Sequence, residues 1–249
     1  MKRVIALVDL DDTLFQTRRK CPPNLADDQL TPLGFARDGS ALSYATPAQI
    51  QFLHWLSETT YLVPVTARSL DALRRVRLTY ETAICAHGGV ILDTQGQPDA
   101  AWHSTLSQAA AEHAPALDAL CGAIAAEARS QGEPIAVRVL QEGGLPLYVL
   151  AKHAEADAQA LGRVLDAALT NVAPGWTDHR NGNNAALLPP FLGKQHAVAH
   201  LLPALRTRHP QAAVIGIGDS VTDAPFMALC DFAMLPTRSQ LAGRLLNAG

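Results

Sequence analysis

The chain has 249 residues, of which 48% are hydrophobic and 17% are charged, and its formal net charge is -3. This length and apolar content suffice for a packed core, and the charge balance lacks the basic face that binding to a nucleic-acid backbone requires. We therefore expect a globular protein that folds on its own and has no nucleic-acid partner.

Neither an export signal nor a bilayer span is expected. The first apolar run, Val4 to Val8, stops at Asp9 and is too short for a secretion signal. The alanine-rich stretch 105–128 carries charged residues and Pro115, which exclude a membrane span. The cysteines are too far apart to form a metal-ligand pattern. They are Cys21, Cys85, Cys121 and Cys230. We expect a cytoplasmic protein without a membrane partner, and its oligomeric state stays open.

Short apolar runs typical of β-strands alternate with helical patterns at the start of the chain. In chain order they are a strand Val4 to Val8, a helix Thr46 to Ser57, a strand Tyr61 to Val65 and a helix Leu70 to Leu78. This alternation predicts a parallel sheet built from βαβ units. Residues 16–45 contain several prolines and glycines and indicate a loop-rich excursion, to which the sequence assigns no structure.

The middle of the chain has a different pattern, in which hairpin signals separate two helices. In chain order it contains a helix Leu106 to Arg129, strands Ile135 to Gln141 and Leu147 to Ala151 around Gly143-Gly144, a helix Glu155 to Leu169, and two strand-like runs flanking Asn181-Gly182. Successive hairpins favour an antiparallel sheet. We therefore predict that residues 87–187 form a separate α+β domain of the order αββαββ.

The alternation of helix and strand returns at the end of the chain. A helix from Lys194 to Leu205 leads into a strand from Ala212 to Ile217, and a short helix precedes a strand from Phe232 to Leu235. Both ends of the chain thus fit one sheet. The predicted fold is α/β, with a doubly wound, Rossmann-like parallel-sheet core of residues 1–86 and 188–249 interrupted by the inserted cap domain.

The first segment that carries chemistry is Asp9-Leu10-Asp11-Asp12-Thr13, directly after the opening strand. Ligands of open α/β sheets bind beyond the carboxyl ends of the strands, where this segment is expected to lie. Three acidic side chains among four residues repel one another unless a cation or a shared proton relieves them. Taken alone, the segment is equally compatible with a solvated acidic turn that caps a helix.

The second segment is Gly218-Asp219-Ser220-Val221-Thr222-Asp223, which follows another apolar strand. Magnesium takes oxygen ligands and keeps several waters, so one or two carboxylates from each of two segments suffice to hold it. Asp9 and Asp219 are the residues suited to this task. Helix capping is the alternative interpretation of Asp219 and Ser220. The glycines do not form a dinucleotide-binding fingerprint, because the third glycine is missing.

Two further residues suggest an anion site. Thr66, in Thr66-Ala67-Arg68, ends one strand and opens a helix, where a hydroxyl and free backbone N–H groups hold phosphoryl oxygens. Lys194 lies in the first turn of a helix, where a cation opposes the helix dipole unless an anion offsets it. Alone, Thr66 is more often a cap and Lys194 more often a surface residue.

Together, the four segments resemble the motifs of the haloacid dehalogenase-like hydrolase superfamily in residue type and in order. They are Asp9-Leu10-Asp11-Asp12-Thr13, Thr66, Lys194 and Gly218-Asp219-Ser220-Val221-Thr222-Asp223. The insert lies where C2 caps occur in this superfamily. Its αββαββ order resembles the C2B type of Cof-type, sucrose-phosphate and mannosylphosphoglycerate phosphatases and of phosphomannomutases.

The resemblance implies a magnesium-dependent phosphatase that acts on a small phosphoester, a sugar phosphate, through a phosphoaspartyl intermediate. Asp9 is then the nucleophile, and Asp11 protonates the leaving oxygen and later deprotonates the attacking water. The implied Mg²⁺ ligands are the carboxylates of Asp9 and Asp219, the backbone carbonyl of Asp11, and Asp223 directly or through a water. Thr66 and Lys194 neutralise the transferring oxygens.

The resemblance also assigns the insert the task of recognising the leaving group. The candidate substrate-binding residues are Thr66, Arg68, His87, Arg180, Asn181, Asn183 and Asn184. Simple turn chemistry is the favoured alternative for the cluster around Asn181-Gly182, because Asn-Gly is a common hairpin turn.

Departures from the family pattern bear on the substrate rather than on the reaction. Ala67 replaces the glycine usual in Cof-type members, His87-Gly88-Gly89 stands where Asn-Gly is common, and Thr222 replaces a frequent asparagine.

A phosphomutase on the same fold is one alternative function, and dependence on a bisphosphate activator would distinguish it from a phosphatase. A non-catalytic phosphosugar-binding or regulatory protein is another. A dehalogenase fits less well, because it needs neither Asp11 nor magnesium.

Overall fold

The computed structural model describes residues 3–170 and 173–246, and they form two compact units. The core unit contains the described residues up to Asp99 and from Lys194 onward. The insert unit contains the described residues of Ala100–Gly193. The boundaries predicted from the sequence lie at residues 87 and 187.

The core unit begins with seven strands and two helices, interleaved with short 3-10 turns. The elements are β1 (Val4–Val8), β2 (Gln16–Thr17), β3 (Thr31–Phe35), β4 (Ala41–Ala45), α1 (Pro47–Thr59), β5 (Thr60–Pro64), α2 (Leu70–Leu73), β6 (Ala83–Cys85) and β7 (Val90–Leu92). The insert unit then supplies α3 (Ala100–Gln131), β8 (Ile135–Glu142), β9 (Leu145–His153), α4 (Ala158–Ala168), β10 (Thr177–Asn181) and β11 (Asn184–Leu188). The core unit resumes with α5 (Lys194–Arg208), β12 (Ala213–Ile217), α6 (Ala224–Met227), β13 (Phe232–Met234) and α7 (Gln240–Leu245).

The main sheet of the core unit is parallel, with the strand order β13-β12-β1-β5. An isolated parallel bridge between Val65 and Ile84 extends the pairing from the end of β5 to β6. In the central strand β1, the residues from Ile5 to Val8 are at most 1% exposed, which explains the continuous apolar run. The predicted α/β fold class with a Rossmann-like parallel sheet is confirmed.

The insert unit has the predicted element order. Its antiparallel sheet has the order β10-β11-β9-β8, and α3 and α4 share one hydrophobic cluster with β9 and β11. Gly143 and Gly144 both have positive φ angles, 56° and 82°, as a tight hairpin turn between β8 and β9 requires. Among the described residues, no helix is both long enough and apolar enough to cross a bilayer.

Two parts of the core unit differ from the sequence analysis. Residues 16–45, to which no structure was assigned, contain a small antiparallel sheet of order β2-β4-β3. The helix predicted from Leu70 to Leu78 ends at Leu73. It ends early because the next residues pair with β3: Val76 bridges Gly34, and the Arg77 N–H donates to the Leu33 carbonyl at 2.8 Å.

Substitution of Gly216 tests the close packing behind the main sheet. A Cβ atom at Gly216, in β12, would meet the Met227 Cα atom at 2.8 Å and the Cys230 Sγ atom at 2.9 Å. We expect Gly216→Ala to lower the free energy of unfolding by about 1–3 kcal/mol through overpacking, as measured by urea denaturation. Gly243→Ala is the control, because a Cβ atom there has nothing within 4 Å. Equal stability of both variants would contradict the packing.

Candidate active site

The carboxyl ends of two neighbouring parallel strands, β1 and β12, bring the acidic segments together. Asp9 follows β1, and its N–H donates to the Ile217 carbonyl at 2.8 Å, which holds it beside the end of β12. Carboxylate oxygens of Asp9, Asp219 and Asp223 all lie within 4.8 Å of one another. Segments that are far apart in the sequence thus form one acidic cluster because their strands are neighbours in the sheet.

Lys194, the first residue of α5, lies between two members of this cluster. Its Nζ atom donates to Asp9 Oδ1 and to Asp223 Oδ1, both at 2.6 Å, and the residue is only 7% exposed. These two carboxylates supply the negative charge that a lysine in the first turn of a helix needs. The three acids nevertheless outnumber the one ammonium group.

Asp223 is the most firmly held carboxylate of the cluster. Its Oδ2 atom accepts hydrogen bonds from the Asp219 N–H, the Ser220 N–H and the Ser220 hydroxyl at 3.2, 3.0 and 2.7 Å. Burial opposes its ionisation, but Lys194 and the Ser220 hydrogen bonds outweigh burial and lower the pKa of Asp223. Gly218 allows this arrangement, since a Cβ atom there would lie 2.5 Å from the Asp223 Cβ atom.

The other two acids of the cluster, Asp9 and Asp219, have raised pKa values. Burial, opposed by Lys194 and reinforced by Asp223, raises the pKa of Asp9 to about 8. Burial and the charges of Asp223 and Asp12 raise the pKa of Asp219 to about 7. Burial disfavours the charged Lys194, yet Asp223 and Asp9 together raise the pKa of its ammonium group. Both shifts disfavour the ionised carboxylates of Asp9 and Asp219, and a bound cation would favour them.

Thr13 contacts two of the acids, a role that was not predicted from the sequence. Its hydroxyl lies 3.1 Å from Asp9 Oδ2 and 3.4 Å from Asp219 Oδ1. The chain turns tightly here, because the N–H groups of Thr13 and Leu14 both approach the Leu10 carbonyl. The position of Thr13 four residues after Asp9 was the available signal, but the turn that brings the two side chains together was not evident from the sequence.

The carboxylate of Asp11 is not one of the three clustered carboxylates and pairs with Arg68. It accepts two hydrogen bonds from Arg68, from Nε to Oδ2 and from Nη2 to Oδ1, both at 2.7 Å. Thr66 is fully buried, and its hydroxyl accepts a hydrogen bond from the Arg68 N–H at 3.1 Å. Of the four predicted metal-ligating residues, three have carboxylates in the cluster, and Asp11 was expected to contribute its backbone carbonyl instead.

His87 lies in the core unit next to Thr66. It is 6% exposed, has a φ angle of 56°, and donates its backbone N–H to the Thr66 carbonyl at 3.2 Å. A positive φ angle is uncommon for a residue other than glycine and indicates a constrained turn at this point. The predicted role of His87 in substrate binding stays a prediction.

The predicted substrate-binding residues of the insert unit make local contacts. The Arg180 guanidinium pairs with Asp178 at 2.6 Å and with Asp166 at 2.8 Å, and Arg180 lines a cleft of about 400 Å³. The Asn183 amide donates to the His153 carbonyl at 2.9 Å, and the Asn184 amide donates to Asn183 Oδ1 at 3.2 Å. Asn181 pairs with Asn184 in the hairpin of β10 and β11, and the substrate-binding roles of these residues remain predictions.

Comparisons with known proteins found structures of similar fold. No protein-family model matches the sequence, and no curated protein matches it. The structure is similar to sucrose-phosphatase from Synechocystis sp. PCC6803 in complex with sucrose and phosphate, with a TM-score of 0.54, 18% identity, and coverage of 100% of this chain and 97% of that chain. It is also similar to the C-terminal domain of trehalose-6-phosphate phosphatase from C. albicans, with a TM-score of 0.54, 16% identity, and coverage of 90% and 72%.

A third similar structure belongs to a nucleotide phosphatase. It is a C-terminally truncated IMP-nucleotidase from Plasmodium falciparum, with a TM-score of 0.53, 9% identity, and coverage of 94% of this chain and 67% of that chain. At such identities the likeness is one of fold alone, and it agrees with the predicted α/β fold. Because the similar structures include a nucleotidase, the fold alone does not select the substrate.

Proposed function

We propose that this chain is a Mg²⁺-dependent phosphatase that hydrolyses a small phosphoester, a sugar phosphate, through a phosphoaspartyl intermediate. One observation carries the proposal: the carboxylates of Asp9, Asp219 and Asp223 converge within 4.8 Å beside the buried ammonium group of Lys194. A structural acidic turn needs no such convergence, whereas a site for a dianionic phosphate and a divalent cation requires it. In this proposal residues 87–187 serve as the cap domain.

The residues of the cluster fit a magnesium ion. The donors are hard carboxylate oxygens, and three carboxylates lie together beside the ammonium group of Lys194. Asp9, Asp219, Asp223 and the backbone carbonyl of Asp11 would hold the ion. When bound, Mg²⁺ would neutralise these carboxylates and withdraw charge from an oxygen of the phosphoryl group.

The side chains of this chain then divide the reaction into two displacements. An oxygen of Asp9 attacks phosphorus, an acyl-phosphate bond forms, and the bond from phosphorus to the leaving oxygen breaks while that oxygen takes a proton from Asp11. In the second displacement water attacks the same phosphorus, Asp11 takes its proton, and the Asp9 carboxylate is released. Lys194 and Thr66 stabilise the charge that develops on the transferring oxygens.

A sugar phosphate is the proposed substrate class. Two of the structurally similar proteins act on sugar phosphates by name, a sucrose-phosphatase and a trehalose-6-phosphate phosphatase. The candidate residues for substrate binding are polar, and their side chains are of types that form hydrogen bonds with hydroxyl groups. They are Thr66, Arg68, His87, Arg180, Asn181 and Asn183. The assay that tests this class compares sugar phosphates, nucleotides and small phosphoesters with Mg²⁺ and again with chelator. Activity that resists the chelator, or no activity on any phosphoester, would contradict the proposal.

Magnesium is expected to stabilise the folded chain through the acidic cluster. At a concentration one hundred times its dissociation constant, a ligand of the native state adds about 2.7 kcal/mol to the free energy of unfolding. We expect Asp219→Asn to lose most of this gain, because it removes a ligand charge while the contacts of Lys194 with Asp9 and Asp223 remain. Thermal denaturation with and without Mg²⁺ measures the effect.

The control for this prediction is Asp71→Asn, which changes an exposed carboxylate of the same unit that pairs with Arg37 and Arg75. This variant should keep the full gain from Mg²⁺. An Asp219→Asn protein that gains as much stability as the wild type would show that magnesium binds elsewhere.

A further inference from the structure

The small sheet formed by residues 16–45 reaches the carboxylate of Asp11 through one arginine. Ser43 lies in β4 and is 2% exposed, and its hydroxyl accepts a hydrogen bond from Arg68 Nη2 at 3.0 Å. The same Nη2 atom donates to Asp11 Oδ1 at 2.7 Å. A single guanidinium thus links the serine of the small sheet to the residue proposed as the general acid.

Other contacts leave the Arg68 side chain little freedom to turn. Its guanidinium carbon lies 5.0 Å from the centre of the Phe15 ring, which is itself buried. Its backbone is fixed as well, because its N–H donates to the Thr66 hydroxyl and its carbonyl accepts from the Ala86 N–H at 2.6 Å. The Arg68 guanidinium thus contacts the Phe15 ring and Asp11, and the small sheet contributes the Ser43 hydroxyl to its surroundings.

Gly34 provides the space that this contact needs. It is the residue of β3 that pairs with Ser43, and the register of the strand pair is irregular on both sides of it. A Cβ atom at position 34 would lie 3.0 Å from the Ser43 Cβ atom, 3.2 Å from its Oγ atom and 3.4 Å from Arg68 Nη1. A methyl group there would push against both partners of the hydrogen bond.

We propose that Ser43 is a positioning residue, which sets the place of the Asp11 carboxyl group through Arg68. This inference rests on the proposed function, in which Asp11 donates a proton to the leaving oxygen. Proton donation depends on sub-ångström placement of the donor, and a hydrogen bond to a guanidinium restricts its position. The small sheet, which lies between β1 and α1 in the chain, thereby helps to hold Asp11 in place.

The test uses the leaving group as its readout. An alkyl leaving group, as in a sugar phosphate, needs a proton as its bond to phosphorus breaks, whereas p-nitrophenolate leaves well without one. The value of kcat/KM reports only the steps up to the first irreversible one, which is transfer of the phosphoryl group to Asp9. For Ser43→Ala we expect kcat/KM to fall by about tenfold or more for the best sugar phosphate of the panel and to change by less than about twofold for p-nitrophenyl phosphate.

Ser40→Ala is the matched control, since Ser40 lies in the same hairpin, is exposed, and donates its hydroxyl to Asp38 rather than to Arg68. Ser40→Ala should leave kcat/KM unchanged for both the sugar phosphate and p-nitrophenyl phosphate. Gly34→Ala should reproduce the selective loss by displacing Ser43 and Arg68. A Ser43→Ala protein that loses activity equally on both substrates, or on neither, would overturn the positioning role.

Asp11→Ala separates this inference from the function on which it rests. A selective loss in Asp11→Ala without one in Ser43→Ala refutes the role of Ser43 and leaves the general acid in place. Equal losses on both substrates in Asp11→Ala refute the general acid itself, and no hydrolysis of either substrate by the wild type refutes the proposed function.

Discussion

Asp9→Asn is expected to reduce phosphate release by at least about a thousandfold, because the amide cannot form the acyl phosphate. The variant should still fold, since asparagine has nearly the same shape and the substitution removes one of the three crowded carboxylates. Lys194 would keep its 2.6 Å contact with Asp223. Initial rates of phosphate release on the best substrate of the panel, together with a thermal denaturation curve, measure both expectations.

Asp12→Asn is the matched control, because it makes the same substitution in the same acidic segment. Asp12 has a φ angle of 65°, which asparagine tolerates, and its carboxylate pairs with Lys20 at 2.5 Å. This variant should retain most of its activity. Phosphate release at the wild-type rate by Asp9→Asn would refute the nucleophile.

Lys194→Met is expected to lower both the rate of phosphate release and the free energy of unfolding. The substitution leaves Asp9 and Asp223 buried without their shared cation, and breaking a buried ion pair in this way costs about 3–5 kcal/mol. Loss of a charged group that stabilises the transferring oxygens lowers the rate by roughly a hundredfold or more. Urea denaturation gives the first effect, and kcat measured at a temperature where the variant is folded gives the second.

Lys152→Met provides the comparison, since Lys152 is an exposed lysine of β9. It should be close to the wild type in stability. If Lys194→Met were as stable as Lys152→Met, the buried contacts of Lys194 with two carboxylates would not be part of the folded state in solution.

Much of the fold could be predicted because its elements have strong local patterns. The run from Val4 to Val8 is apolar throughout, as a central parallel strand buried on both faces must be. The hairpins of the insert unit follow from Gly143-Gly144 and Asn181-Gly182, which favour tight turns. The order of the elements in the insert was therefore readable from the sequence.

The small sheet of residues 16–45 could not be predicted, because its strands lack a local signal. β2 has two residues, and β3 contains both Pro32 and Gly34, which are unfavourable within strands. These strands depend on contacts with the rest of the core unit, as Leu33 shows by its place in the main hydrophobic cluster. Tertiary packing overrides local propensity here.

The approach of Asp9 and Asp219 was predictable from topology, whereas the detailed contacts around them were not. Parallel strands that neighbour one another end at the same edge, so residues after β1 and β12 must lie close. The contact of Asp11 with Arg68, by contrast, joins side chains 57 residues apart and depends on rotamers that no sequence pattern encodes. The same holds for the two contacts of Lys194.

A crystal structure of the chain soaked with Mg²⁺ and beryllium fluoride, a mimic of the phosphoryl group, tests the central claim most directly. The expected result is one Mg²⁺ bound by oxygens of residues 9 and 219, with beryllium fluoride on the carboxylate of Asp9. A metal ion bound away from these carboxylates, or beryllium fluoride on another residue, would contradict the account.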